Sequence, residues 1–161
     1  MSQVPQYLST SNKPEQFQRL INETLYILDK FGVPLEGVRQ RPIERIAMAF
    51  LAVANVRQSS DWKKVDSSHA LRTRDIIRYW NNYFHENISE SSYDDIRRKD
   101  LKLIVLAKII NASIDALVAI SSLVFCLIQC FICCVNQSLY RTIVRRENCS
   151  NAKAEGDIFI Y

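Results

Sequence analysis

The chain has 161 residues, of which 48% are hydrophobic, so it can form one domain with a buried core and an extension but not two large domains. Its formal net charge of +4 is compatible with a polyanionic partner but does not establish one. Only three glycines occur, which excludes a phosphate-cradling glycine loop, and all five cysteines lie in the last third, which argues against a disulfide scaffold.

The first half of the chain predicts two apolar helices behind a polar leader. Residues 1–13 are polar, lack an apolar signal-peptide core and are expected to form a disordered lead-in. Pro14 suits a helix first turn, and an apolar stripe continues from there until Gly32. A second helix is predicted after Pro42, where apolar residues repeat at three and four.

A third helix is predicted to start at Thr73, which is a good N-cap. The polar connection before it holds Trp62, whose ring is expected to pack on the domain edge. The predicted inward residues are Ile76, Ile77, Trp80 and Phe84. Arg72, Arg74 and Arg78 are predicted to point outward.

The stretch from Ile88 to Ile110 predicts a turn followed by a fourth helix. Ser89 or Ser92 can cap it, and acidic residues follow in its first turn, where the helix dipole favours them. The predicted buried stripe is Ile96, Leu103, Ala107 and Ile110. The predicted exposed cations are Arg97, Arg98, Lys99 and Lys102.

Two helices joined by a short polar turn, the second with exposed arginines, form a helix-turn-helix arrangement that can read duplex DNA. The spacing alone is a weak indication, because any helical hairpin shows it. A solvated basic face on an ordinary core helix is the alternative interpretation.

Several motifs in residues 31–110 resemble the N-terminal helix-turn-helix domain of the BsuBI/PstI type II restriction endonucleases. The Gly-aliphatic-Pro turn is Gly32-Val33-Pro34, the apolar helix reads RQRPIERIAMAFLAVANV, and Trp62 follows it. The most specific piece is Ser91-Ser92-Tyr93-Asp94-Asp95-Ile96-Arg97-Arg98-Lys99-Asp100-Leu101, in which the Ile-Arg-Arg and Leu positions coincide with the family pattern.

This resemblance implies binding to double-stranded DNA in a restriction-modification system. The expected contacts are made by Ser92, Arg97, Arg98, Lys99 and Lys102, with Arg72, Arg74 and Arg78 on the crossing helix. The sequence also departs from the family: Tyr93-Asp94-Asp95 replaces Arg-Glu-Thr, and Lys108 stands where a glycine is usual. The family's wing and nuclease domain are not recognisable after Asn111.

No catalytic or metal-binding residue is predicted. Asp61-Trp62-Lys63 matches an acid-x-lysine motif but lies in a polar loop without a preceding strand. Magnesium is expected only with the missing nuclease domain. Cys126, Cys130, Cys133 and Cys134 fall on one side of a helix, and packing as small hydrophobic residues is expected there rather than zinc binding.

Residues 117–135 are nearly all apolar, and residues 116–140 carry no charge. A membrane anchor over Leu117–Val135 is one interpretation, because the length suffices to span a bilayer. A helix that packs on the domain or pairs with a second copy in a homo-oligomer is another. A third is a truncated gene or a shifted reading frame, since composition and family pattern change near Asn111.

Together these patterns predict a mainly α protein with a compact helical, winged helix-turn-helix domain over residues 14–110. A long apolar helix and a polar tail are expected over residues 111–161. The predicted function is that of a cytoplasmic DNA-binding domain of a type II restriction endonuclease, separated from its nuclease. A small membrane-anchored helical interaction protein is the alternative.

Overall fold

A computed structural model describes residues 6–8, 11–113 and 117–130, and this part of the chain is mostly helical with a small sheet. The principal helices are α1 (Glu15–Lys30), α2 (Gln40–Ala54) and α3 (Thr73–Tyr83). A composite helix over residues 90–106 follows, built from Glu90–Ser92 (3-10), Tyr93–Asp95 (α), Ile96–Asp100 (π) and Lys102–Leu106 (α). The strands are β1 (Ala70–Arg72), β2 (Ile110–Ala112) and β3 (Leu117–Ile120).

Helix α2 forms the centre of the domain. It contacts α1, α3, β3 and the composite helix, and every residue from Ile46 to Ala54 is buried. Its alanines have short side chains, which allows neighbouring elements to approach closely, while Phe50 fills the core beside Trp62 at a ring-centroid distance of 6.2 Å. Trp62 is 5% exposed and belongs to this core, whereas the sequence predicted that its ring packs on the domain edge.

Part of the leader packs on α1, in contrast to the disorder expected for residues 1–13. Leu8 is 1% exposed, and the backbone N–H groups of Tyr7 and Leu8 both donate to Asn22 Oδ1, at 2.9 and 3.2 Å. Burying a leucine side chain contributes about 1.5–3 kcal/mol, which favours order at this position. The sequence did not predict this contact, because the single leucine is surrounded by polar residues.

The three strands form an antiparallel sheet in the order β1, β3, β2. Ala70 pairs with Ala119, and Ile110 pairs with Ile120, so the hairpin of β2 and β3 brings the end of the domain back beside the start of α3. This hairpin is the wing of the predicted winged fold, although its strands were not recognised in the sequence after Asn111. A short apolar run such as Leu117–Ile120 fits a buried strand as well as a helix, since periodicity cannot separate the two.

The long apolar helix expected over residues 117–135 does not begin at Leu117, because residues 117–120 form β3. Residues 122–130 are helical, and residues 131–161 lie outside the described residues. Within the described ranges, none of the helices has the length and apolarity needed to cross a bilayer.

The helix of residues 122–130 packs one side on the domain and leaves apolar side chains exposed on the other. Val124 and Ile128 are buried against the domain, whereas Leu123 is 73% exposed. Cys126 and Cys130 are exposed free thiols, so they do not pack in the core as expected. Cys133 and Cys134 lie outside the described residues.

Candidate nucleic-acid interface

The turn between α3 and the composite helix is held by the side chain of Asn81. Its Nδ2 donates to the carbonyl of Ile88 at 2.9 Å, and its Oδ1 accepts from the N–H of the same residue at 3.0 Å. His85 adopts a left-handed backbone conformation with φ of 54°, which reverses the chain after α3. The amide of Asn81 therefore fixes where the second helix begins relative to the first.

The start of α3 differs by one residue from the prediction. Thr73 is the first helical residue and is buried, while Arg72 occupies the N-cap position. The carboxylate of Asp75 accepts a hydrogen bond from the N–H of Arg72 at 3.2 Å, so it satisfies one of the backbone donors that a helix start leaves free. The predicted inward residues are all buried: Ile76, Ile77 and Trp80 on α3, and Phe84 directly after it.

The composite helix contains a π turn that changes which side chains face the core. The N–H of Leu101 donates to the carbonyl of Ile96, five residues earlier, at 3.0 Å. This wider turn buries Ile96, Asp100, Leu101 and Ile104. Leu103 and Ala107, predicted as part of the buried stripe from regular spacing, are only partly buried.

Asp100 joins the composite helix to α2 through a buried ion pair. Its Oδ2 accepts from Nη2 and Nε of Arg45 at 2.7 and 3.1 Å, and the Asp100 side chain is 6% exposed. Burial raises the pKa of Asp100 above its ordinary value, although the Arg45 guanidinium opposes this shift. The same guanidinium lies 5.4 Å from the ring centroid of Trp80 on α3, so this one side chain links α2 to two other helices.

The composite helix ends in a Schellman turn at Lys108. The N–H of Ile109 donates to the carbonyl of Ile104 at 3.0 Å, and the N–H of Lys108 donates to that of Val105 at 2.9 Å. Lys108 has φ of 57°, a conformation that glycine adopts without strain. The turn that the family forms with glycine is thus retained with a lysine, and β2 follows directly.

The predicted DNA-contacting cations are all exposed, and they lie at the end of β1, on α3 and on the composite helix. We call them the cationic set: Arg72, Arg74, Arg78, Arg97, Arg98, Lys99 and Lys102. The guanidinium of Arg74 lies 5.0 Å from the ring centroid of Tyr93, and Arg78 pairs with Glu90 at 3.2 Å. These contacts bring the cations of α3 next to the first turn of the composite helix.

Carboxylates of the first turn hold three of the cations on the composite helix. Asp94 pairs with Arg97 at 3.3 Å and also with Arg98, whereas Asp95 pairs with Lys99 at 3.0 Å. The hydrogen bond from Lys99 holds the pKa of Asp95 below its ordinary value. Each pair spans three or four residues on one helix face, so the cations are orientated but remain at the surface.

Ser92 lies at the same end of the helix and is partly exposed. In this turn the capping group is Ser89, whose Oγ accepts from the N–H of Ser91 at 3.4 Å, while Ser92 forms no capping hydrogen bond through its side chain. Its hydroxyl is therefore not used for capping the helix.

Asp61, in the acid-x-lysine motif, has a structural role. Its Oδ2 accepts from the N–H groups of Arg57 and Gln58, both at 3.2 Å, and its Oδ1 pairs with Lys64. Burial opposes its ionisation, but these hydrogen bonds outweigh burial and hold the pKa of Asp61 below its ordinary value. Asp61 thus caps a short 3-10 helix, Ser59–Lys64.

Sequence reasoning missed the groups that position this surface, Asn81, Arg45 and Asp100. The one available indication was a carboxylate at Asp100, four residues after the buried Ile96, where regular helical spacing would place it towards the core. Charged residues are rarely buried, so the sequence pattern favours exposure at such a position.

Comparison with protein families gives one match. The sequence model of the BsuBI/PstI restriction endonuclease HTH domain matches residues 18–119, which is more than half of the chain. The match includes most of α1 and extends into β3, so the family pattern continues past Asn111, where we expected it to change. Comparison with curated proteins and with solved structures gives no match.

Proposed function

Since the chain belongs to the family of BsuBI/PstI restriction endonuclease HTH domains, we propose that it binds duplex DNA through α3 and the composite helix. The observation that carries this proposal is the exposed cationic set on two helices joined by a turn that Asn81 fixes. The first helix would cross the phosphate backbone, and the second would enter the major groove.

The proposed contacts follow from the exposure of each side chain. Arg97, Arg98, Lys99 and Lys102 reach phosphates or base edges from the composite helix, since guanidinium and ammonium groups donate to both. Arg74 and Arg78 contact phosphates from α3, and Arg72 does so from the N-cap position of that helix. The Ser92 hydroxyl donates to a phosphate at the helix start.

The ion pairs within the composite helix are compatible with this function. The Arg97 and Arg98 side chains are 59% and 67% exposed, and exposed ion pairs contribute little to stability because water and salt screen them. Phosphates can therefore take the place of Asp94 as hydrogen-bond acceptors. The pairs keep the long arginine side chains extended along one face before DNA is bound.

We infer that the wing contributes little charge to binding. Its described residues, Ile110–Ala112, Ser113 and Leu117–Ile120, carry no lysine or arginine. We therefore assign the electrostatic part of DNA affinity to the two helices. We further propose that this DNA binding serves a restriction-modification system in the cytoplasm, where magnesium would be required by an accompanying nuclease domain.

The double variant Arg97→Ala, Arg98→Ala tests the proposal. Its affinity for a random-sequence duplex is expected to fall at least tenfold at low salt. The slope of log affinity against log salt is expected to become shallower by an amount that corresponds to the loss of one to two phosphate contacts. The matched control is Arg19→Ala, Lys30→Ala, which removes the same charge from α1.

The control variant is expected to keep most of the wild-type salt slope. Equal slopes for the two double variants would show that binding is a non-specific effect of net charge. Wild-type protein with no salt-dependent binding to any duplex would overturn the proposed function.

A further inference from the structure

Asp94 lies in the middle of the proposed DNA-contacting face, although it is an anion. Its two carboxylate oxygens pair with Nη2 of Arg97 at 3.3 Å and with Nη2 of Arg98. Residues three and four apart on a helix share one face, so Asp94 points away from the core with these arginines. Ile96, fully buried, marks the opposite face.

Docking of the arginines on DNA brings the Asp94 carboxylate to the duplex with them. Phosphate oxygens repel it, and guanine O6 and N7, adenine N7 and thymine O4 are acceptors that a carboxylate cannot bond. In the major groove only the amino groups of cytosine and adenine donate hydrogen bonds. The carboxylate therefore discriminates between bases, because most groups it meets are unfavourable.

Cytosine is the better of the two partners. The adenine amino group has an acceptor on each side, N7 of the same base and O4 of the paired thymine. The cytosine amino group has an acceptor on one side only, O6 of the paired guanine. That guanine also offers O6 and N7 to a guanidinium, and Asp94 holds two guanidinium groups beside its own oxygens.

Building on the proposed function, we propose that Asp94 is a specificity-determining residue that reads one C·G base pair together with an arginine. The carboxylate accepts from the cytosine N4 amino group, and Arg97 or Arg98 donates to the guanine of the same pair. Asp94 also lowers affinity for all other sequences, since its charge repels the phosphates. Specificity for this base pair arises from the carboxylate and the guanidinium together, because each reads a different base of the pair.

The experiment is selection of bound duplexes from a randomised pool by the full-length protein. The wild-type pool is expected to contain one position that is nearly always C·G. Asp94→Ala should reduce the preference at that position by about tenfold or more, which corresponds to the 1–3 kcal/mol of a good base contact. Other selected positions should be unchanged, and affinity for random-sequence DNA should rise several-fold.

Asp94→Asn gives a sharper readout. An asparagine amide accepts and donates, so it matches the N6 and N7 of adenine, and the preference at this position is expected to change from C·G to A·T. Asp94→Glu should keep the C·G preference. Glu36→Gln, which removes one exposed negative charge from the loop between α1 and α2, is the matched control and should select the wild-type sequences.

The possible failures can be distinguished. If the wild type shows no salt-dependent binding, the proposed function itself fails. If the wild type binds in a salt-dependent way without sequence preference, or if Asp94→Asn and Asp94→Ala select the same sequences as the wild type, the role of Asp94 is overturned. Thermal unfolding of each variant identifies any that is not folded, and Asp94→Asn keeps the side-chain size in case the alanine variant unfolds.

Discussion

The carboxylate of Asp100 on the composite helix accepts two hydrogen bonds from the guanidinium of Arg45 on α2. This pair attaches the proposed DNA-reading helix to α2, the central helix of the domain. Its hydrogen bonds are directional, so they define the orientation of the attached helix. Apolar packing around Ile96 and Ile104 alone would permit the helix to slide, because hydrophobic contacts are non-directional. The buried pair therefore fixes which face of the helix points outward.

Replacement of Asp100 by alanine is expected to destabilise the domain by about 1–3 kcal/mol, since Arg45 then loses its acceptor. The loss is smaller than for a completely buried pair because the Arg45 side chain is 27% exposed. Urea unfolding at pH 7 measures it. Asp66→Ala, in an exposed loop, is the control, and an equal effect of both substitutions would show that the pair does not stabilise the domain.

The sequence predicted α1 and α3 almost to the residue, because amphipathic periodicity marks such helices clearly. It also predicted the exposure of the cationic set. It could not predict the π turn, since the five-residue hydrogen bond from Leu101 to Ile96 departs from the regular helical spacing on which the prediction rests. It missed β3 because Leu117–Ile120 requires β1 and β2 as pairing partners.

Acid is expected to destabilise the protein through Glu86, which lies in the turn between α3 and the composite helix. Burial opposes its ionisation, but hydrogen bonds from Arg41 and Lys13 outweigh burial and hold the pKa of Glu86 below its ordinary value of 4.5. The unfolded state then binds more protons, so this stabilisation is present above pH 4.5 and is lost as the pH falls through the lower, folded-state pKa.

Glu86→Gln tests this pH dependence. The variant is expected to be less stable than the wild type at pH 7, and its stability should fall less between pH 5 and pH 3. Urea unfolding across this range gives both curves. Parallel curves for the two proteins would show that other carboxylates determine acid sensitivity. Asp95 is one such group, because its pKa is also lowered, and Asp95→Asn serves as the comparison.

Lys108→Gly is expected to stabilise the domain by about 0.5–1 kcal/mol. A lysine at φ of 57° is strained, and glycine relieves more strain than it adds in unfolded-chain entropy. Lys108→Ala is the control, because it removes the charge but keeps the Cβ atom. In thermal unfolding, the Lys108→Gly variant should be more stable than both the wild type and the Lys108→Ala variant. Equal stability of the glycine and alanine variants would contradict this account.

Asn81→Ala is expected to weaken both the fold and DNA binding, because two hydrogen bonds to the backbone of Ile88 are lost together. Leaving these partly buried groups without partners costs about 1–3 kcal/mol. Asn82, the exposed neighbour on α3, provides a control of the same residue type. If the turn fixes the composite helix, Asn81→Ala should reduce affinity for duplex DNA at temperatures where circular dichroism shows it folded, while Asn82→Ala should bind as the wild type does. If the folded Asn81→Ala protein bound DNA with wild-type affinity, the angle between the two helices would be set by the core rather than by this amide. The Arg45 to Asp100 pair would then be the main determinant of that angle.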